Sequence, residues 1–111
     1  MASTLKVLGQ INPSSDTDTT LYTVPANTSA IISTINICNQ GMNTAQFRVA
    51  VRPSGESLAT KHYIAYNAAV ASNDSISLTI GLTMANTDVL TVRANTSTVS
   101  FNAFGSEITW V

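Results

Sequence analysis

SAIISTINICNQGMNTAQFRVAVR, residues 29–52, predicts two β-strands joined by a short polar turn. In its second half the apolar residues Phe47, Val49 and Val51 alternate with smaller or more polar ones. That period of two is typical of a strand with one buried face and one wet face. The turn between the halves, Asn39–Asn43, is rich in residues that tolerate positive φ, and it therefore predicts a hairpin.

The first half of this stretch is apolar on both faces of the predicted strand. A regular strand places Ile31, Ile35 and Ile37 on one face and Ala30, Ile32 and Cys38 on the other. Such a strand lies centrally in a sheet, or it faces a second protein surface. Cys38 is interpreted as a small buried hydrophobic residue, because its neighbours in the strand are apolar.

The same alternation predicts further short strands along the chain. They are Thr4–Ile11 (a strand or an arm), Thr20–Val24, His62–Tyr66, Ser75–Leu82, Asp88–Ala94, and Thr98–Val111 with a break at Gly105. In the run Ser75–Leu82, one face carries Ile76, Leu78, Ile80 and Leu82. A helical turn could form only at Ser57–Lys61. About eight short strands at spacings of about ten residues are typical of an antiparallel β-sandwich or jelly roll. We predict one all-β domain over residues 1–111, with a possible N-terminal arm (1–12) and C-terminal tail (106–111).

The composition points away from several functional classes. Only 10% of the 111 residues are charged, against roughly 25% in an average soluble domain. The net charge is −1, and the five Lys and Arg residues form no basic stripe, so nucleic acid is not an expected partner. Low charge leaves little repulsion between copies, which favours self-association or a place in a large assembly. The alternative is an ordinary neutral β-domain.

The N-terminal segment lacks the basic and long apolar regions of a signal peptide. No apolar run approaches the roughly 20 residues of a membrane span, so no membrane association is expected. One cysteine cannot form an internal disulfide framework. These features predict a chain made in a cytoplasm and kept there until it assembles.

The sequence offers few candidates for catalysis or metal binding. His62 is the only histidine, and no G-x-S-x-G motif or other nucleophile signature accompanies it. One His and one Cys are too few for a zinc site. Asp16, Asp18 and Thr20 have the spacing of calcium ligands, but the glycine and the distal glutamate of a calcium loop are missing. We predict neither an enzyme nor a cofactor.

Two groups of side chains are candidates for binding. Arg48 and Arg52 share one strand face, which either docks onto carboxylates of a partner or is simply solvated. Tyr22, Tyr63 and Tyr66 either form an aromatic patch for a glycan or protein partner, or lie at the rim of a sheet with their hydroxyls in water. However, Tyr63 and Tyr66 lie on opposite faces of a regular strand, so both join such a patch only if the strand carries a bulge.

Several segments resemble a family of small virion structural proteins of tailed bacteriophages, including phages of cyanobacteria. The most recognisable pieces are Leu21–Pro25, Cys38-Asn39 with Gly41, His62–Tyr66 and Phe101–Gly105, and the likeness extends from about Leu5 to Thr109. The resemblance implies either a capsid cement (decoration) protein or a module of the tail and its fibres. It implies no catalytic residues.

The resemblance leads us to expect a homotrimeric cement protein on the outer surface of the virion, seated between major capsid subunits that it bridges and stabilises. The expected contact residues are Leu5, Val7 and Ile11 of the arm, Arg48 and Arg52, and the terminal Trp110 and Val111. The alternative is a tail-fibre or receptor-binding module that recognises a host surface glycan through aromatics and Asn-rich loops.

Overall fold

Nine β-strands form most of the part of the chain that the computed structural model describes, residues 2–109. The strands are β1 (Ala2–Ile11), β2 (Thr19–Thr23), β3 (Thr28–Asn39), β4 (Ala45–Arg52), β5 (Tyr63–Val70), β6 (Asp74–Leu78), β7 (Leu82–Met84), β8 (Val89–Ala94) and β9 (Val99–Thr109). The chain also has two short 3₁₀ turns, Pro53–Gly55 and Thr60–His62, and the second overlaps the end of the segment Ser57–Lys61, where a helical turn was expected.

The strands form two antiparallel sheets that pack face to face. Sheet A has the order β1-β9-β3-β6, with the short β7 also paired to β3, and sheet B has the order β2-β8-β4-β5. Since β6 and β7 both pair with β3, they occupy one strand position, and each sheet is four strands wide. Two four-stranded sheets with these long crossovers are the arrangement of a jelly roll. The predicted all-β sandwich is confirmed, with nine strands where about eight were expected.

The predicted hairpin around Gly41 is wrong, because β3 and β4 belong to different sheets and do not pair. The buried side chain of Asn39 stabilises this crossing instead. Its Nδ2 donates to the carbonyls of Asn43 (2.8 Å) and Val70 (3.2 Å), and its Oδ1 accepts from the Gly41 amide (2.9 Å) and the Thr98 hydroxyl (3.0 Å). These hydrogen bonds provide partners for backbone groups that, in a hairpin, would bond to the opposite strand.

A β-bulge in β3 changes the predicted division of its faces. The pairing with β9 shifts between Ile32 and Thr34, so that the extra residue Ser33 resets the alternation. As a result Ala30 and Ile32 face the core together with the two later isoleucines of the strand. Cys38 is half-buried on the opposite, outer face, and the interpretation of it as a core residue is wrong.

Two other expectations about single strands are also wrong. The run Ser75–Leu82 is not one strand, because Gly81 adopts a left-handed backbone (φ +60°) between β6 and β7 and leaves Ile80 exposed. Gly105 does not break the last strand, which continues through it while pairing with both neighbours.

The core lies between the sheets and is aliphatic around one aromatic pair. Phe47 of sheet B and Phe101 of sheet A meet edge to face, with ring centroids 6.3 Å apart. The surrounding buried residues are Leu21, Tyr22, Val24, Ala30, Ile32, Ile35, Ile37, Ala45, Val49, Val70, Met84, Leu90, Val92, Ala94, Val99 and Ala103. All of these residues come from β-strands except Val24, which directly follows β2.

A polar contact also joins the two sheets at one edge. The hydroxyl of Tyr22 in β2 donates to Glu107 Oε2 in β9 (2.5 Å), and Lys6 Nζ in β1 donates to Oε1 (2.9 Å). The Glu107 side chain is only 13% exposed, and the Tyr22 and Lys6 hydrogen bonds lower its pKa. Burial and the adjacent Glu107 carboxylate raise the pKa of Tyr22 above its ordinary range.

Glu107→Gln is expected to lower the free energy of unfolding at pH 7 by about 1.5–3 kcal/mol, the range for hydrogen bonds to charged groups. The wild-type protein should also lose stability under acid. The pKa of Glu107 is lower in the folded protein than in the unfolded chain. The stability that its ionised carboxylate contributes is therefore complete above about pH 4.3, and it is lost as the pH falls through the folded pKa. Urea unfolding between pH 7 and pH 3 measures both effects. An equally steep acid loss in Glu107→Gln would contradict this role.

Candidate functional site

The two outer faces of the sandwich differ in charge. All three arginines, Arg48, Arg52 and Arg93, lie on strands of sheet B at positions that face away from the core. The outer face of sheet A carries no charged side chain within residues 2–109. Its outward positions are Ser3, Leu5, Val7 and Gln10 of β1, Ser29, Ile31, Ser33, Thr34, Asn36 and Cys38 of β3, Ser75 and Ser77 of β6, Thr83 of β7, and Ser100, Asn102, Phe104, Ser106 and Ile108 of β9. These faces are therefore the candidate functional surfaces.

Apolar side chains cluster at one end of the outer face of sheet A. Val7 lies directly opposite Phe104, and Leu5 lies opposite a serine whose other neighbour is Ile31. Ile108 extends the same row on β9. We call Leu5, Val7, Ile31, Phe104 and Ile108 the apolar patch. Its first four members are among the exposed large hydrophobic residues, with Leu5 85% exposed.

The apolar patch contains two of the residues expected to make contacts, Leu5 and Val7. They belong to β1, which pairs along its length with β9; the segment expected as a strand or an arm thus forms the edge strand of sheet A. Ile11 lies elsewhere, opposite Phe101, where it packs half-buried against the core. Trp110 and Val111 lie outside the described residues.

Arg52 is held by its own chain. Its Nε donates to the Thr91 hydroxyl (3.0 Å) and its Nη1 to the Glu56 carbonyl (3.0 Å). The residues after it, 53–62, contact β4 and β8, so that the outward-facing Ala50 and Thr91 are buried. Arg52 thus fastens a loop to sheet B.

His62 has a structural position within that loop. Its Nδ1 accepts a hydrogen bond from the Ala59 amide (3.0 Å), and its Nε2 lies 3.2 Å from Glu56 Oε1. Because Nδ1 accepts, Nε2 carries the proton and donates to the carboxylate. Both nitrogens are thereby engaged, and the ring is buried. This arrangement stabilises the loop and leaves no free ring nitrogen for proton transfer.

Two bulges in β5 bring Tyr63 and Tyr66 onto the same face. The pairing of β5 with β4 shifts twice, on either side of Val49, so that Tyr66 and Asn67 together oppose Arg48. The two tyrosine rings meet edge to face with centroids 4.9 Å apart, and the Arg48 guanidinium lies 4.2 Å from the centre of the Tyr66 ring. The strand therefore carries the bulges that an aromatic patch of Tyr63 and Tyr66 requires. Tyr22 is buried and does not join them.

Within residues 2–109 no group of three His, Cys, Asp or Glu side chains is placed to hold a metal ion. Asp16 and Asp18 instead face Arg93, with oxygen–nitrogen distances of 3.9 and 3.6 Å. None of the helical turns in this part of the chain has the length or apolar character needed to cross a membrane.

The contact residues predicted from the sequence did not include Ile31, Phe104 and Ile108 of the apolar patch, or Asn67 beside Arg48. Phe104 was named only within a resemblance motif, although its place three residues after Phe101 and directly after Ala103, both core residues, marks it as outward-facing. Asn67 lies at one of the bulges of β5. Its left-handed backbone (φ 54°) at a bulge is a feature that asparagine tolerates, but the residue's identity alone does not locate the bulge.

No family model matches the chain, and no curated protein matches it. Among solved structures it is similar to one of the infectious bursal disease virus Gx strain, with 8% identity and a TM-score of 0.46 over 96% of this chain and 30% of that one. It is also similar to a pentameric capsid protein isolated from metagenomic phage sequences, with 17% identity and a TM-score of 0.36 over 91% of this chain and 60% of that one. The chain thus spans less than a third of the first protein and three fifths of the second. Membership of a tailed-phage virion family stays a prediction.

Proposed function

We propose that this chain is a structural protein of a virus particle, and that it acts as a capsid cement protein bridging neighbouring major capsid subunits on the outer surface of the shell. The observation that carries the proposal is the uncharged outer face of sheet A with its apolar patch. In this role the protein has no catalytic activity and needs no cofactor.

The chemistry of that face suits a protein partner. Charged residues are depleted at the centres of protein interfaces, and exposed apolar clusters with polar rims mark contact sites. The molecule measures 47 × 27 × 20 Å, so a broad face offers on the order of 1,000 Å², comparable with the roughly 800 Å² per partner of a standard interface. The face is therefore large enough for stable attachment.

The fold is compatible with this role, and the sequence resemblance favours it. Jelly rolls occur in viral capsid proteins and also in lectins and cupins, so the strand order alone does not select a function. The resemblance of segments such as Leu21–Pro25 and Phe101–Gly105 to small phage virion proteins favours the virion among these. The chain would be made in the host cytoplasm and added to the shell there.

We further propose that the protein attaches as a homotrimer over local three-fold positions. Three copies let weak individual contacts sum to tight binding, because each additional contact forms within an already bound assembly. A trimer also matches the symmetry of junctions between capsid subunits. Such a bridge would resist the outward pressure of packaged DNA by linking neighbouring subunits.

Co-sedimentation with capsids stripped of the protein tests this role, together with the mass in solution from light scattering. We expect saturable binding with one trimer per local three-fold position and a capsid that withstands more heat after binding. A defined oligomer that does not bind capsids would contradict the cement role and favour a position on the tail.

Leu5→Lys is expected to weaken capsid binding at least tenfold without changing the fold. Leu5 is largely exposed in the single chain, so a lysine is tolerated there, whereas an unpaired charge within the interface costs several kcal/mol. Thr20→Lys is the matched control, because Thr20 is an exposed strand residue of sheet B. Co-sedimentation isotherms measure the effect. Equal binding by both variants would exclude the apolar patch as the contact.

A further inference from the structure

We propose that the outer face of sheet B holds a binding site for a carboxylate-bearing saccharide, centred on Arg48 and Tyr66. The site lies on the opposite side of the sandwich from the apolar patch. This proposal does not depend on the cement role, so a test that contradicts one proposal leaves the other unaffected.

Two neighbouring side chains hold Arg48 in place. Its Nε donates to Asn67 Oδ1 (2.8 Å), and its guanidinium carbon lies over the Tyr66 ring, 4.2 Å from the ring centre, while Tyr63 meets Tyr66 edge to face. Among the described residues no acceptor engages its two terminal nitrogens. A planar guanidinium with its terminal nitrogens open binds a carboxylate through two parallel hydrogen bonds. Because the side chain is already fixed, little rotamer freedom is lost on binding.

Arg48 also stands apart from the other cations of the described chain. Arg93, directly opposite it on β8, faces the carboxylates of Asp16 and Asp18. Lys6 and Lys61 are each paired with a glutamate, and Arg52 donates to the Thr91 hydroxyl of β8 and to the Glu56 carbonyl. Arg48 has no carboxylate within 4 Å among residues 2–109, so its charge is available to a ligand.

The surroundings of Arg48 favour a sugar over a peptide as the carrier of that carboxylate. The adjoining shallow groove is lined mainly by polar side chains, Asp16, Gln46, Asn67, Arg93 and Asn95. Planar amides and a carboxylate are suited to a ligand that presents hydroxyl groups along its length. Tyr66, 57% exposed, supplies the apolar surface against which a sugar ring can pack.

The probe for the test is trigalacturonic acid, titrated into ¹⁵N-labelled protein and followed by amide chemical shifts. Two matched probes separate the contributions: its trimethyl ester has the same sugar without charge, and tri-glutamate has the same net charge at pH 7 without sugar. We expect saturable shifts at Arg48, Tyr66 and Asn67 with trigalacturonic acid, and at least tenfold weaker binding of both other probes. Equal binding of the ester, equal or tighter binding of tri-glutamate, or no binding of any probe would overturn the proposal.

Two arginine variants make the test specific. Arg48→Lys keeps the charge but loses the bond to Asn67 and the planar guanidinium, and it should bind trigalacturonic acid at least tenfold more weakly. Arg52→Lys is the control, since Arg52 lies outside the groove, and its affinity should equal that of the wild type. Thermal unfolding confirms that both variants are folded. An unchanged affinity in Arg48→Lys would overturn the site.

Discussion

Gly105→Ala is expected to lower the free energy of unfolding by at least about 3 kcal/mol, because β9 and β3 approach too closely here for any side chain. A Cβ atom at this position would overlap the carbonyl oxygen of Ile31 and lie 3.0 Å from the Cα of Ile32. Both are backbone atoms of the neighbouring strand, so no side-chain rotation relieves the overlap. The strands must separate, and the central pairing of sheet A weakens.

Urea unfolding followed by circular dichroism measures this loss, and failure to obtain folded protein would be its extreme form. The control is Gly81→Asn, in the open turn between β6 and β7. A Cβ there meets no atom within 4 Å, and asparagine accepts the left-handed backbone of Gly81. The control should change stability by less than about 1 kcal/mol. Similar stabilities of the two variants would contradict the close approach at Gly105.

Phe101→Ala is expected to cost about 3–5 kcal/mol, the range for removing a buried aromatic side chain. Phe101 is fully buried and makes the edge-to-face contact with Phe47 that joins the two sheets. Alanine would leave a cavity between sheets whose strands are fixed by their pairing, so that the surroundings relax only partly. Domain stability is typically only about 5–15 kcal/mol, and the variant would retain little of it.

Phe104→Ala is the matched control, since the same residue type is replaced on the same strand but on its outer face. Phe104 is 37% exposed, and its loss should change the free energy of unfolding by about 1 kcal/mol or less. Denaturation of the two variants side by side gives the comparison. Under the proposed function, Phe104→Ala should also weaken capsid binding, whereas stability losses of equal size would contradict the assignment of the two faces.

The sequence predicted the fold class because alternation is a local property that side-chain burial imposes on each strand. Val49 and its neighbours in β4, and the strand Val89–Ala94, lie where the pattern placed them. The partner of each strand was not predictable in the same way. The turn residues after Asn39 are typical of a hairpin. In the structure, however, the buried Asn39 side chain forms hydrogen bonds with backbone groups of a loop that crosses from one sheet to the other.

Bulges account for most of what the sequence did not predict. One extra residue at Ser33 brought Ala30 and Ile32 to the core face and left Cys38 half-buried on the outer face, and the bulges of β5 brought Tyr63 and Tyr66 together. A bulge depends on the register of the neighbouring strand, which a single strand's sequence does not contain. Leu5 and Val7 were predicted as contact residues from the sequence. That they lie next to Phe104 follows from the register between β1 and β9, which the sequence alone did not reveal.

The bulges of β5 have a consequence for how this protein can change over generations. Tyr66 and Asn67 occupy an irregular stretch of an edge strand, while the core positions of the same strand, Ala65 and Val70, keep their places. Substitutions at the bulge can therefore accumulate without disturbing the packing between the sheets or the opposite surface. A lineage could alter what one side recognises while the other side keeps its attachment, which also makes this bulge a suitable place to engineer new specificity.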